Sequence, residues 1–256
     1  MADPAVITEA VQVLTRDSTL PKTVAVLEAG CGSTSDVYLP FDKEVVGIDI
    51  DPEQLRHNDR VKTKIQGDLQ TYELPRNQFD LIACVDVLEH LPLPDKAMTN
   101  MIGSLKPGGY LLIAGPEPYS YKGLVAKYTP HSMRHFIHEL LTGRAVRESR
   151  RIHGNGQIFF PTYLKPICSL KNLAEAGERQ GLNVVFKRAF DAHSAGLRRA
   201  YQPFLGVVNL FTRFIKRLTG DSIDLLLADY VVLFKKAQDQ AAKPVPAAEK
   251  EISCCK

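Results

Sequence analysis

The chain has 256 residues, 45% hydrophobic and 24% charged, enough to bury a full-sized core and ordinary for a globular protein. A net charge of +3 is too small to argue by itself for a nucleic-acid partner. Five cysteines without a CxxC pair exclude a disulfide framework and a zinc signature, and fit reduced thiols. The opening MADPAVITEAVQVL carries two acids and no base before Arg16, against a signal or transit peptide. The longest strongly apolar stretch without a charge, Ala200 to Thr212, is too short to cross a bilayer. The expected location is cytoplasmic.

In chain order, apolar runs that read as strands alternate with helical patterns. The strand-like runs are Val24 to Leu27, VVGIDI at Val45 to Ile50, Lys62 to Gln66, FDLIACVD from Phe79 and GYLLIAG from Gly109. Between the last two, PDKAMTNMIGSLKPGG reads as a helix that ends at Pro107 and two glycines. This β-α alternation predicts an α/β, doubly wound sheet with helices on both faces. The alternation breaks after residue 115, where Pro116, Pro118, Pro130 and Pro161 punctuate the chain. It resumes with a helix in SLKNLAEAGERQG, a strand in LNVVFKRAF and a final strand in DYVVLFKKA. The expected organisation is one domain over 1–236 with insertions at about 116–165 and 191–228, followed by a disordered tail over 237–256 rich in Ala, Lys, Gln, Glu and Pro.

The stretch TVAVLEAGCGSTSD, 23 to 36, ends a strand in an acid, two glycines and small polar residues. Glycine reaches positive φ and leaves room for a ligand, so Gly30 and Gly32 let the backbone turn tightly and be approached. Ser35 stands where a GxGxxG fingerprint would have its third glycine, and the lysine of a phosphate-binding P-loop is missing. Glu28 is placed to meet an ammonium group, and Asp49, at the end of the second strand, can accept both hydroxyls of a ribose. Gly67 to Leu69 follows the third strand, where an adenine edge would lie.

VLEAGCG, VVGIDIDPEQL, QGDL, FDLIACVDVLEHL and LKPGGYLLIAGP resemble, in order, the motifs of the class I S-adenosylmethionine-dependent methyltransferases, over residues 23–116. The VLEHL after strand four is similar to the small-molecule subset of that family. The resemblance implies a Rossmann-like seven-stranded sheet, mostly parallel with the last strand antiparallel, and S-adenosylmethionine as cofactor. It places the amino-acid part of the cofactor on Glu28, Gly30 and Gly32, the ribose on Asp49, the adenine on Ile50 with Asp68 and Leu69 near its amino group, and the sulfonium beside Val85 and Asp86. His90 joins the cofactor set or packs within its helix, and Asp86 is alternatively the cap of a helix opened by DVLEH.

An oxygen acceptor calls for a base, and the histidines after strand five supply candidates, of which His131 and His153 are preferred. His131, His135 and His138 share a helix face, but no acidic cluster accompanies them, so a metal-independent enzyme is expected. From Ala192 to Gly220 there is no acid, and Phe204, Val208, Phe211, Ile215 and Leu218 recur at helical spacing. That stripe either packs on the domain or rests, with the bases between 198 and 218, on an anionic membrane surface. RAVRESRR, 144 to 151, offers four arginines for phosphates, but CVDVLEH lacks the NPPY-type signature of enzymes that methylate base amino groups. The expected reaction is methylation, on oxygen, of a small lipophilic acceptor; an RNA or protein methyltransferase and a non-catalytic cofactor-binding homologue are the alternatives.

Overall fold

A computed structural model describes residues 3–34, 37–120, 161–190 and 227–238, together with 123, 127 and positions 210, 212–215, 217 and 218. His131 and His153, most of both insertions and the tail beyond 238 lie outside the described residues. Helix α1 (Pro4–Thr15) precedes strands β1 (Val24–Ala29) and β2 (Lys43–Asp49). Helix α2 (Pro52–His57), β3 (Thr63–Gln66) and β4 (Phe79–Val85) follow. Then come α3 (Pro94–Ser104), β5 (Leu105–Pro116), α4 (Leu170–Arg179), β6 (Leu182–Phe190) and β7 (Asp229–Lys236). The seven strands form one sheet in the order β3-β2-β1-β4-β5-β7-β6, with β7 antiparallel to both neighbours and the remaining pairs parallel. The expected fold class is the observed one.

Strand alternation splits the core into two layers. Leu27, Ile82 and Leu111 point to one face, where Ala97, Met98 and Met101 of α3 and Leu173 and Ala176 of α4 cover them. Their chain neighbours Val26, Leu81 and Leu112 point to the other face and meet Val6, Ile7, Ala10, Val11 and Leu14 of α1. Each such fully buried aliphatic side chain contributes about 1.5–3 kcal/mol, and the central strands bury nearly every position. Local signals start the helices: the Asp3 side chain accepts from Ala5 N at 2.9 Å with Pro4 opening α1, and Ser169 accepts from Asn172 N at 3.3 Å to start α4.

Three local expectations need correction. Among the described residues no helix stands between β1 and β2 or between β3 and β4; both connections are turns and extended chain. DVLEH does not open an α-helix: Asp86 sits at φ +54 and only a 3-10 turn, Leu88–His90, follows, with Val87 rather than Asp86 at its N-cap position. The last of the five motif strands begins at Leu105 rather than Gly109, so the KPGG stretch is already strand.

At the amino ends of the strands the sheet is fastened by ion pairs. Lys235 Nζ donates to Asp17 Oδ2 at 2.5 Å, and the Tyr110 hydroxyl donates to the same oxygen. The lysine also lies 5.0 Å from the Tyr110 ring centroid. The Lys235 ammonium first, then the hydroxyls of Thr19 and Tyr110, hold the Asp17 carboxyl well below its ordinary value. Asp80 accepts from Lys106 Nζ and from Ala25 N, each at 2.9 Å, tying β1, β4 and β5 together.

Candidate cofactor and acceptor site

At the opposite, carboxyl ends of β1, β2, β3 and β4 the chain encloses a cavity of about 780 Å³. Its first wall is the glycine turn. Gly30 adopts φ +70, and a Cβ there would stand 2.3 Å from Cγ2 of Val87; only glycine fits both demands. Gly32, at φ +49, donates its N–H to Asp49 Oδ2 at 2.8 Å. The turn is stapled by Asn58, fully buried, whose side-chain amide donates to the carbonyls of Cys31 and Gly32 at 3.0 and 3.2 Å.

The second wall comes from the end of β2. Asp49 is 8% exposed, and its Oδ1 accepts from Asp51 N at 2.8 Å. Burial raises its pKa, while the N–H groups of Asp51 and Gly32 partly offset that. Asp51 caps α2 through Glu53 N and Gln54 N, which fixes the chain direction after Asp49. Ile50 is 57% exposed on the cavity wall, an aliphatic face open to a planar ring. Below it, the Asp68 carboxylate is engaged by Gln70, from its N–H and side-chain amide both at 2.9 Å, and Leu69 is buried.

The third wall is the turn after β4. Asp86, Val87, His90, Leu91 and Pro92 line the cavity with Pro161 and Tyr163. The returning segment is hung on this turn: Tyr163 N and Leu164 N donate to the Glu89 carbonyl at 2.8 and 3.2 Å. His90 Nδ1 donates to the Pro161 carbonyl at 2.9 Å, which sets the protonated nitrogen of its ring. Glu89 is buried behind this turn, and burial, with Asp86 beside it, pushes its carboxyl up to about 8. Glu28 and Val85 border an adjoining recess that shares Gly30 with the main cavity. Cys31 in the turn is buried, and its thiol is pushed up to about 12, so it stays protonated and unreactive at neutral pH.

The structure thus brings Gly30, Gly32, Asp49, Ile50, Asp68, Leu69, Asp86 and His90 to one cavity, with Glu28 and Val85 in the recess beside it. Asn58, Gln54, Gln70, Pro161 and Tyr163 complete the surroundings and were not anticipated. A lone polar residue such as Asn58 carries no spacing signal in the sequence. The lining carries Asp49, Asp51, Asp68 and Asp86, and among the described residues no lysine or arginine. Such a wall disfavours a polyphosphate and suits a ligand bearing positive charge.

Residues 27–113 match the Methyltransferase domain family. A ubiquinone biosynthesis O-methyltransferase of Coxiella burnetii (strain Dugway 5J108-111) is 27% identical over 133 residues, covering 44% of this chain and 57% of that protein. The chain spans about half the length of the curated relative it matches. Haemonchus contortus phosphoethanolamine N-methyltransferase 2, solved with S-adenosyl-L-methionine, superposes with a TM-score of 0.53 at 18% identity over 90% of this chain and 53% of its own. The [4+2]-cyclase SpnF superposes with a TM-score of 0.52 at 15% identity, over 90% and 81%. At these identities the superpositions establish the fold. Sheet order and glycine turn define a Rossmann-like methyltransferase domain. Over residues 27–113 the chain is similar to the class I S-adenosylmethionine-dependent methyltransferases. S-adenosylmethionine is that family's cofactor, and an acid-lined cavity with a glycine cradle at one end fits its ammonium, ribose and sulfonium.

Proposed function

We propose that this protein transfers a methyl group from S-adenosylmethionine to an oxygen of a small, lipophilic organic acceptor. The observation that carries the reading is the cavity wall of acids without a lysine or arginine among the described residues, closed on one side by apolar Leu91, Pro92 and Tyr163. The names of relatives such as those of Coxiella burnetii and Bordetella avium, both ubiquinone biosynthesis O-methyltransferases, support oxygen as the acceptor atom. Glu28, with the backbone of Gly30 and Gly32, receives the amino-acid end of the cofactor, and Asp49 receives the ribose. Ile50, Asp68 and Leu69 form the adenine side, and Val85, Asp86 and His90 face the sulfonium. When bound, the cofactor supplies an electrophilic methyl carbon on a cationic sulfur.

The protein's own part is to hold the acceptor oxygen in line, exclude water and remove a proton. His131 and His153, outside the described residues, are the bases we assign. The reading uses no metal. No helix among the described residues is long and apolar enough to cross a membrane. The test is to supply methyl-labelled cofactor to the protein with a cell extract and partition the product. Label in the organic phase is the expected result. Label in RNA or precipitated protein replaces the substrate class, and cofactor binding without label in any fraction replaces the reading with a non-catalytic one.

A further inference from the structure

Residues 210, 212–215, 217 and 218 are helical. Leu210, Phe214 and Leu218 are 71%, 58% and 67% exposed. Spaced four apart, they stack into one row along the helix. Arg213 and Arg217, also exposed, form the adjoining row. Thr212, 2% exposed, and Ile215, half-buried, lie on the side turned to the protein. The apolar row is therefore not the one that counting from Phe204 to Leu218 selects: Ile215 is partly covered, and the exposed set shares only Leu218 with that count. Phe204, Val208 and Phe211 lie outside the described residues.

A helix that only covers the domain turns polar residues to water. This one is held by one side and presents three large apolar side chains beside two guanidinium groups on the other. No aspartate or glutamate occurs from residue 192 to 220, so the surrounding sequence adds no opposing charge. An apolar row flanked by a cationic row matches a bilayer surface: the aliphatic and aromatic groups enter the acyl boundary while the arginines reach lipid phosphates. A second copy docked face to face would set arginine row near arginine row, and nucleic acid would leave the apolar row in water.

We propose that this face docks on the surface of an anionic phospholipid bilayer. The inference goes beyond the acceptor reading and stands without it, since it uses neither the cavity nor the reaction. The full-length chain is floated with vesicles of phosphatidylcholine alone or of phosphatidylcholine with phosphatidylglycerol. The expected result is flotation with the anionic vesicles only. The double variant Phe214→Glu with Leu218→Glu should stay unbound, and Arg213→Gln with Arg217→Gln should partition roughly 30-fold more weakly, at about a fivefold loss per arginine. Both variants should keep the wild-type melting curve and S-adenosylmethionine affinity, because these side chains are exposed and none lines the cavity. Absence of flotation, equal flotation with both vesicle types, or a Glu double variant that floats like wild type would overturn the proposal. So would a dimer dispersed by Phe214→Glu, which would give the face to a second copy, or retention by RNA without vesicle binding. Vesicle binding with no methyl transfer to any extract component would remove the acceptor reading alone.

Discussion

The two ends of the sheet treat their carboxyl groups in opposite ways. At the amino ends, Asp17 and Asp80 each hold a lysine, and the Asp17 carboxyl is driven down by Lys235. At the carboxyl ends, burial drives the Asp49 and Glu89 carboxyls up, with backbone N–H groups rather than cations beside Asp49. A carboxylate already paired with a lysine has little left to offer a ligand. One that is buried and lacks a cation gains most when a hydroxyl or a positive group arrives. The amino end fastens the fold, and the carboxyl end holds back part of its stability for binding.

Substitutions at Gly30, Asp49, Asp17 and Glu89 test that contrast, in order of expected effect. Gly30→Ala places a methyl against Val87 at a positive φ and should cost roughly 2–4 kcal/mol of stability; Val87→Ala in the same chain should recover part of the loss in urea melts. Asp49→Ala should weaken S-adenosylmethionine binding by roughly 2–3 kcal/mol, about 30- to 150-fold by calorimetry. Asp49→Asn, which keeps an acceptor for Gly32 N, should retain the melting temperature and still lose affinity. Unchanged affinity in both would remove Asp49 from the cofactor site.

Asp17→Asn should cost roughly 1.5–3 kcal/mol by removing the negative charge that Lys235 pairs with and leaving one oxygen where Lys235, Tyr110 and Thr19 now share two. The Asp17 pKa is depressed in the fold, so its contribution is present above its ordinary value of 3.8 and is lost as the pH falls below it. The variant should therefore differ most from wild type at neutral pH and least in strong acid. Glu89 carries the reverse sign. Its pKa rises from 4.5 to about 8 through burial and Asp86, with Asp229 adding to the effect. Stability present below pH 4.5 is lost as the pH climbs toward 8. Glu89→Gln should melt on the order of 1–2 kcal/mol more stably than wild type at pH 9, with the gain shrinking toward pH 5. An equal gain at both pH values would show that packing, not charge, is responsible.

Much of this contrast was legible in the sequence. Glycines at 30 and 32 and an acid closing β2 need only local rules, because backbone reach and strand ends are local properties. The strands were recognised for the same reason, LNVVFKRAF residue for residue. DVLEH misled because helix propensity cannot register that Asp86 turns left-handed, a conformation aspartate tolerates. The β-α alternation put a helix between β1 and β2, where the described residues form turns and extended chain. Asn58 and the pairing of Asp17 with Lys235 join residues 26 and 218 positions apart, a relation that no window along the chain contains. The exposed row at 210, 214 and 218 escaped because apolar residues populate both sides of that helix, and periodicity alone does not say which side the domain takes.

The strand order also governs how the chain must assemble. β7 is the last of the seven described strands to be synthesised, yet it lies between β5 and β6 and pairs with both. Until residues 229–236 leave the ribosome, β5 has an open edge along Leu111, Leu112, Ile113 and Ala114, and β6 has no partner in the sheet. A nascent chain in that state displays a hydrophobic edge of the kind that invites strand addition from a neighbour. Its closing strand also carries Lys235, so completion of the sheet and the clasp on Asp17 happen in a single insertion. Chains ending before residue 229 should accumulate as aggregates or chaperone clients, whereas chains ending just after residue 238 should refold.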